Sequence, residues 1–192
     1  IPGGMENLNF GTTTAQLNVP DGYKDVKATF EATMCYPYKT TGVATVCTGD
    51  IKPGEEGACK SNEDKAVDSS TAPIVITKVH QAGARQSQTF TINFANMGTG
   101  IPYVKPLAGS DTDNCVVSLE KIDKNYVTAT SVRVGETGEP LDCSGSNVSM
   151  AAGTLNCHYN SETTSVSQAQ LIVELDYNYK DKIAKEYTIK GV

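Results

Sequence analysis

The stretch "DVKATFEATMCYPY", residues 25–38, carries an apolar residue at every second position, with polar residues between them as far as Thr33. Val26, Ala28, Phe30, Ala32, Met34, Tyr36 and Tyr38 share one side, and Asp25, Lys27, Thr29, Glu31 and Thr33 share the other. A period of two with one apolar side describes a half-buried strand, whereas a helix would scatter these residues around its circumference. The stretch "AQLIVELDYNY", residues 169–179, repeats the design with Ala169, Leu171, Val173, Leu175, Tyr177 and Tyr179. An offset of 141 positions carries the even positions from Ala28 to Tyr38 onto these six, and both runs end in Tyr-x-Tyr-Lys. A register slip of one would exchange the two faces, so the agreement is a specific one. Each run is followed by polar residues that read as a turn and then by a second arm, "GVATVCT" (42–48) and "KIAKEYTIKGV" (182–192). The pattern predicts one hairpin used twice, at the ends of two related β-units.

The two units are unequal. Before the second hairpin, "APIVITKV" (72–79), "QTFTINFA" (88–95), "CVVSLEKI" (115–122), "YVTATSVRV" (126–134) and "GTLNCHY" (153–159) read as strands separated by Gly, Asn, Asp and Pro clusters. With the hairpin, residues 72–192 reach the strand count of an immunoglobulin-like sandwich. Before the first hairpin, "TTTAQLNV" (12–19) is the one extra strand available, so residues 1–48 form an incomplete β-domain. The chain is then a fragment, or its first hairpin docks on the second domain, or a neighbour supplies the missing strand. That last arrangement propagates head-to-tail into a filament. Residues 49–71, polar and rich in Gly and Pro, read as a linker. The fold class expected is all-β.

Composition narrows the function classes. The chain of 192 residues carries a net charge of −6, which repels phosphate backbones and disfavours nucleic-acid partners. A run of about 20 apolar residues, as a membrane span needs, is absent, and the start "IPGGMENLNF" has neither a basic nor an apolar signal segment. The chain is therefore expected to be a mature or trimmed product. Six cysteines, at 35, 47, 59, 115, 143 and 157, show no Cys-x-x-Cys spacing, and two histidines are too few for a mixed metal site. Disulfides in an oxidising compartment are the expectation. Cys143 with Cys157 spans a strand–turn–strand unit, Cys47 with Cys59 closes a loop in the linker, and Cys35 with Cys115 ties the first hairpin to the second domain. Six cysteines allow fifteen pairings in all. "NVS" makes Asn147 a candidate N-glycan acceptor.

Residues that could carry chemistry are thinly supplied. His80 and His158 are the two imidazoles, and no Gly-x-Ser-x-Gly elbow accompanies them. No Gly-rich phosphate loop of either familiar type is present. "GSDTDN" (109–114) sets Asp111, Asp113 and Asn114 as oxygen ligands at close spacing, but it lacks the distal glutamate of a calcium loop and reads rather as a solvated turn. Trp is absent, and Tyr36, Tyr38, Tyr177 and Tyr179 sit on the apolar strand faces, which suits core closure better than sugar stacking. No enzyme, cofactor or metal is expected.

The run "APIVITKV…FTINFANMGTG" (72–100) resembles the opening of CARDB-type immunoglobulin-like modules: Ala72 and Pro73 lead a strand, and a second strand ends in Asn96-x-Gly98-x-Gly100. With "CYPYKT…VC" before it, the chain also looks like surface proteins of archaea. The resemblance implies an extracellular β-sandwich used for adhesion or surface architecture, and it carries over no catalytic residue. The expected function is a non-enzymatic, disulfide-bonded structural protein of the cell surface. It would be a filament or pilus subunit, joined by self-association and strand donation, or a segment of a surface glycoprotein. The alternative is an adhesive module that binds a surface protein or glycan.

Overall fold

The computed structural model describes residues 24–52, 59–104 and 124–190. The described residues form eleven strands in two antiparallel sheets that face each other as a β-sandwich. The larger sheet is built on two 24-residue strands, β1 (Asp25–Thr48) and β11 (Ser167–Lys190). The short strand β3 (Val67–Ser69) flanks β1, while β7 (Tyr126–Val134) and β6 (Ile101–Tyr103) flank β11 and β9 (Asn147–Ser149) flanks β7. The second sheet runs β2 (Glu63–Lys65), β4 (Ile74–Ala84), β5 (Ser87–Asn96), β10 (Thr154–Asn160), β8 (Asp142–Cys143).

The twinned hairpin is not present. β1 and β11 each run straight through the residues read as turns, and they pair with each other along their whole length. Tyr36 lies opposite Tyr179, and Tyr38 opposite Tyr177. The repeated Tyr-x-Tyr is therefore a cross-strand pair of motifs, and the two runs agree because both must present the same face to the same sheet. The 141-residue offset had matched Phe30 with Leu171; in the ladder Phe30 faces Lys185 and Leu171 faces Ala44.

The supposed turn after Tyr38 fails for a physical reason. Thr40 is fully buried, donating to the Ile74 carbonyl at 2.8 Å and lying 3.0 Å from the Tyr177 hydroxyl. At Gly42 the other sheet comes close: a Cβ there would stand 2.6 Å from Ile76 Cδ1 and 3.3 Å from Ile76 Cβ. Polar and small residues at these positions fit the gap between sheets; they do not reverse the chain.

Part of the segment read as linker is strand. β2 forms an edge of the smaller sheet and β3 an edge of the larger, so the chain passes from one sheet to the other at Ala66. Residues 12–19 and 115–122, read as strands, and the candidate ligands Asp111, Asp113 and Asn114, lie outside the described residues.

Ile74, Ile76, Val79, Phe90, Ile92, Phe94 and Leu155 of the smaller sheet meet Ala44, Val46, Leu171, Val173 and Leu175 of the larger in one core. Two bulges keep the apolar residues inward. Thr77 is an extra residue in β4 and Thr130 in β7, and beyond each the inward parity changes, from Ile76 to Val79 and from Val132 to Val127. A buried amide also ties the sheets. Gln81 Oε1 accepts from the Cys47 amide at 2.9 Å, and Gln81 Nε2 donates to the Cys47 carbonyl at 2.8 Å, standing in for a strand neighbour.

Cys47 is bonded to Cys59 with Cα atoms 5.6 Å apart, and Cys143 to Cys157 with Cα atoms 4.0 Å apart. The second bond joins residues directly opposite in the β8–β10 pair. Cys35 is disulfide-bonded, while Cys115, its expected partner, lies outside the described residues. Disulfides persist in a non-reducing environment. Among the described residues no helix is long and apolar enough to cross a membrane.

Candidate interaction surface

The β1–β11 ladder has two halves. From Tyr36 to Thr48 and Ser167 to Tyr179 it forms the centre of the larger sheet, with the smaller sheet over its inner face. From Asp25 to Cys35 and Lys180 to Lys190 it continues as a two-stranded ribbon. Apart from the Lys180–Ile101 pairing at its base, no strand among the described residues flanks it.

The apolar side does not stop where the core stops. Val26, Ala28, Phe30, Ala32 and Met34 continue the inner face of β1, opposite Ile189, Tyr187, Lys185, Ile183 and Asp181 of β11. Phe30 is 51% exposed, Ile183 57% and Tyr187 45%. The Phe30 and Tyr187 rings meet edge to face at 5.4 Å, and the Lys185 ammonium lies 5.4 Å from the centre of the Tyr187 ring. These residues, with Ala32, line an open groove of about 840 Å³. The opposite side is charged. Lys27 pairs with Glu186 at 2.8 Å and Lys182 with Glu31 at 2.7 Å, both diagonally across the ladder. The Lys182 hydrogen bond and charge hold the Glu31 carboxyl below its usual range.

The ribbon's base is fixed by tyrosines. The Tyr38 and Tyr177 rings stack with planes 13° apart at 5.9 Å, and Tyr36 sits 6.0 Å from Tyr179. The Tyr177 hydroxyl accepts from the Ile74 amide at 3.2 Å, and the Tyr179 hydroxyl accepts from the Gly100 amide at 2.8 Å while donating to Asn96 Oδ1 at 3.0 Å. Burial pushes both phenols above their ordinary pKa, and these hydrogen bonds offset part of the rise. The Asn96-x-Gly98-x-Gly100 run is thus a loop wrapped around one tyrosine tip. A Cβ at Gly98 would fall on the Tyr179 hydroxyl, and one at Gly100 on the Lys180 carbonyl oxygen. Met97, in the same loop, is 72% exposed.

The other singled-out residues do not converge. His80, inside β4, has Nδ1 2.8 Å from Asp64 Oδ1, and Asp64 also takes Lys78 Nζ at 3.0 Å. His158 has Nδ1 3.3 Å from Thr89 Oγ1. Both imidazoles lie on the outer face of the smaller sheet, in different rows of the ladder. Among the described residues no group of three or more His, Cys, Asp or Glu is placed to hold a metal ion. Asn147 is exposed at the start of β9, and its Oδ1 accepts from Thr128 Oγ1 at 3.0 Å. The ribbon's bare apolar side was not expected from the sequence; the available signal was that the alternation outruns the length needed to cover one sandwich face. No family model matches the chain, and no curated protein or solved structure is similar to it.

Proposed function

We propose that the chain is a non-enzymatic extracellular structural protein that assembles with copies of itself, as a subunit of a surface filament or a segment of a cell-surface protein. The observation that carries this reading is the ribbon: a sheet face with Phe30, Ile183 and Tyr187 about half exposed, continuing beyond the Tyr36–Tyr179 cluster that closes the sandwich core. Exposed contiguous apolar surface of this kind marks interaction sites. The disulfides suit an oxidising compartment, and the resemblance to archaeal CARDB-type surface modules points the same way. Strand donation has a place to act. Beyond Gly42–Ala44, where β3 pairs, the outer edge of β1 has no neighbouring strand among the described residues. Asn147, exposed on an edge strand, serves as the glycan acceptor in this reading.

The test is light scattering on the purified, oxidised chain over a concentration series, followed by electron microscopy of the concentrated material. Concentration-dependent association is expected, and a chain that stays monomeric throughout overturns the reading. A second reading, an adhesive module, draws on the outer face of the smaller sheet, where Thr91 donates to Asn156 at 2.7 Å within an open polar surface. A glycan array decides it: binding lost on replacing Thr91 and Asn156 favours adhesion.

A further inference from the structure

The ribbon's apolar side has a residue order that is complementary to itself. Along β1 it reads Phe30, Ala32, Met34, and along β11, in the paired positions, Lys185, Ile183, Asp181. A two-fold axis between two stacked ribbons, perpendicular to their strands and passing over the Ala32–Ile183 pair, reverses the order along each strand. Phe30 of one copy then meets Met34 of the other, an aromatic–sulfur contact made twice. Lys185 of one copy meets Asp181 of the other, an ion pair also made twice. Ala32, at the axis, is small enough to let the two faces approach to ordinary sheet-stacking distance, about 10 Å.

We propose that two copies of the chain associate through this ribbon-to-ribbon contact, centred on Ala32 and Ile183. Charge selects the register. Centring on the Phe30–Lys185 pair would set Lys185 against Lys185, and centring on Met34–Asp181 would set Asp181 against Asp181. Asp181 is already oriented at the ribbon's base, where Thr99 Oγ1 donates to it at 3.2 Å and the Lys182 amide at 2.8 Å. The two ribbons cross at an angle, as stacked sheets do, so that the tip of each, with Tyr187, passes beside the 96–100 loop that covers Tyr179 of the other copy. The proposal rests on the self-association reading and specifies its contact. A two-fold contact closes on itself, so an extended filament would alternate it with a second, different contact.

The experiment is sedimentation equilibrium of the full, oxidised chain. Asp181→Lys alone and Lys185→Asp alone each set like charges together, and each is expected to weaken association at least about tenfold. Mixing the two single variants makes both cross-copy pairs complementary again, and association is expected to return to within about threefold of the original chain. Near-UV circular dichroism checks that each variant is folded. If Asp181→Lys does not fold without its Thr99 contact, Ala32→Lys replaces it: two like charges on the axis are expected to abolish association, and unchanged association overturns the proposal. If the original chain associates but the mixture does not recover, this register is wrong and self-association stands. If the original chain never associates, both fall.

Discussion

The two halves of the β1–β11 ladder share one register, one alternation and one pair of strands, yet their side chains meet opposite conditions. In the inner half, Leu171, Leu175 and Tyr179 are at most 1% exposed; in the outer half, Ile183 and Tyr187 on the same strand and the same face are about half in solvent. The alternation sets which way a side chain points. Whether it is buried depends on what lies above it, and the smaller sheet covers the inner half alone. Free energy follows the cover: burying a Leu or Ile side chain is worth roughly 1.5–3 kcal/mol, and the isolated outer half collects only part of that.

The sharpest way to break this contrast is a matched pair of truncations. Leu171→Ala should cost about 2–5 kcal/mol in urea unfolding, because it opens a cavity between the sheets. Ile183→Ala, twelve residues further along the same face, should change the monomer's stability by no more than about 0.5 kcal/mol. Equal losses would mean that the outer face is covered even in an isolated chain.

The junction between the halves comes next. Gly98→Ala and Gly100→Ala push a methyl group against the Tyr179 hydroxyl or the Lys180 carbonyl. Each should cost about 1–3 kcal/mol by thermal or urea unfolding. A neutral result would show that the loop can move off the tyrosine.

The inner half should also respond to alkali. The phenols of Tyr177 and Tyr179 titrate above their ordinary value in the folded chain, chiefly through burial. Their contribution is fully present below the unfolded phenol value, about 10, and is lost as pH rises from there through the raised folded values. Stability should therefore be level across neutral pH and fall above about pH 10. Tyr177→Phe should make that fall shallower, at a neutral-pH cost of about 0.5–1.5 kcal/mol for the lost hydroxyl contacts. An alkaline slope unchanged in this variant would place the loss elsewhere.

The smallest effect belongs to the ribbon's charged side. A double-mutant cycle on Lys27 and Glu186, both well exposed, should give a coupling under about 1 kcal/mol that salt removes. A larger, salt-resistant value would mean that this side is shielded from water.

Much of this architecture could be read from the residues. The alternation at Val26–Tyr38 and Ala169–Tyr179 gave two half-buried strands, "YVTATSVRV" coincides with β7, and the all-β class follows from such runs. What could not be read was which strand lies beside which. Two runs that agree at a fixed offset suggest duplication, but two antiparallel neighbours under one sheet must carry the same alternation as well. Thr40 read as part of a turn because a sequence does not reveal a second sheet close enough to bury it and to offer a carbonyl partner. The projecting ribbon was hidden for the same reason: its side chains obey the core's alternation, and the end of the opposing sheet is fixed by other parts of the chain.

Asp25 and Lys190 are partners at the far end of the ladder, so the two long strands begin and end at adjacent points. A pull applied at these two residues would open the cross-strand bonds one after another, from the tip inward, instead of loading them all in shear. Pulled between these two points, the ladder is therefore poorly placed to bear tension.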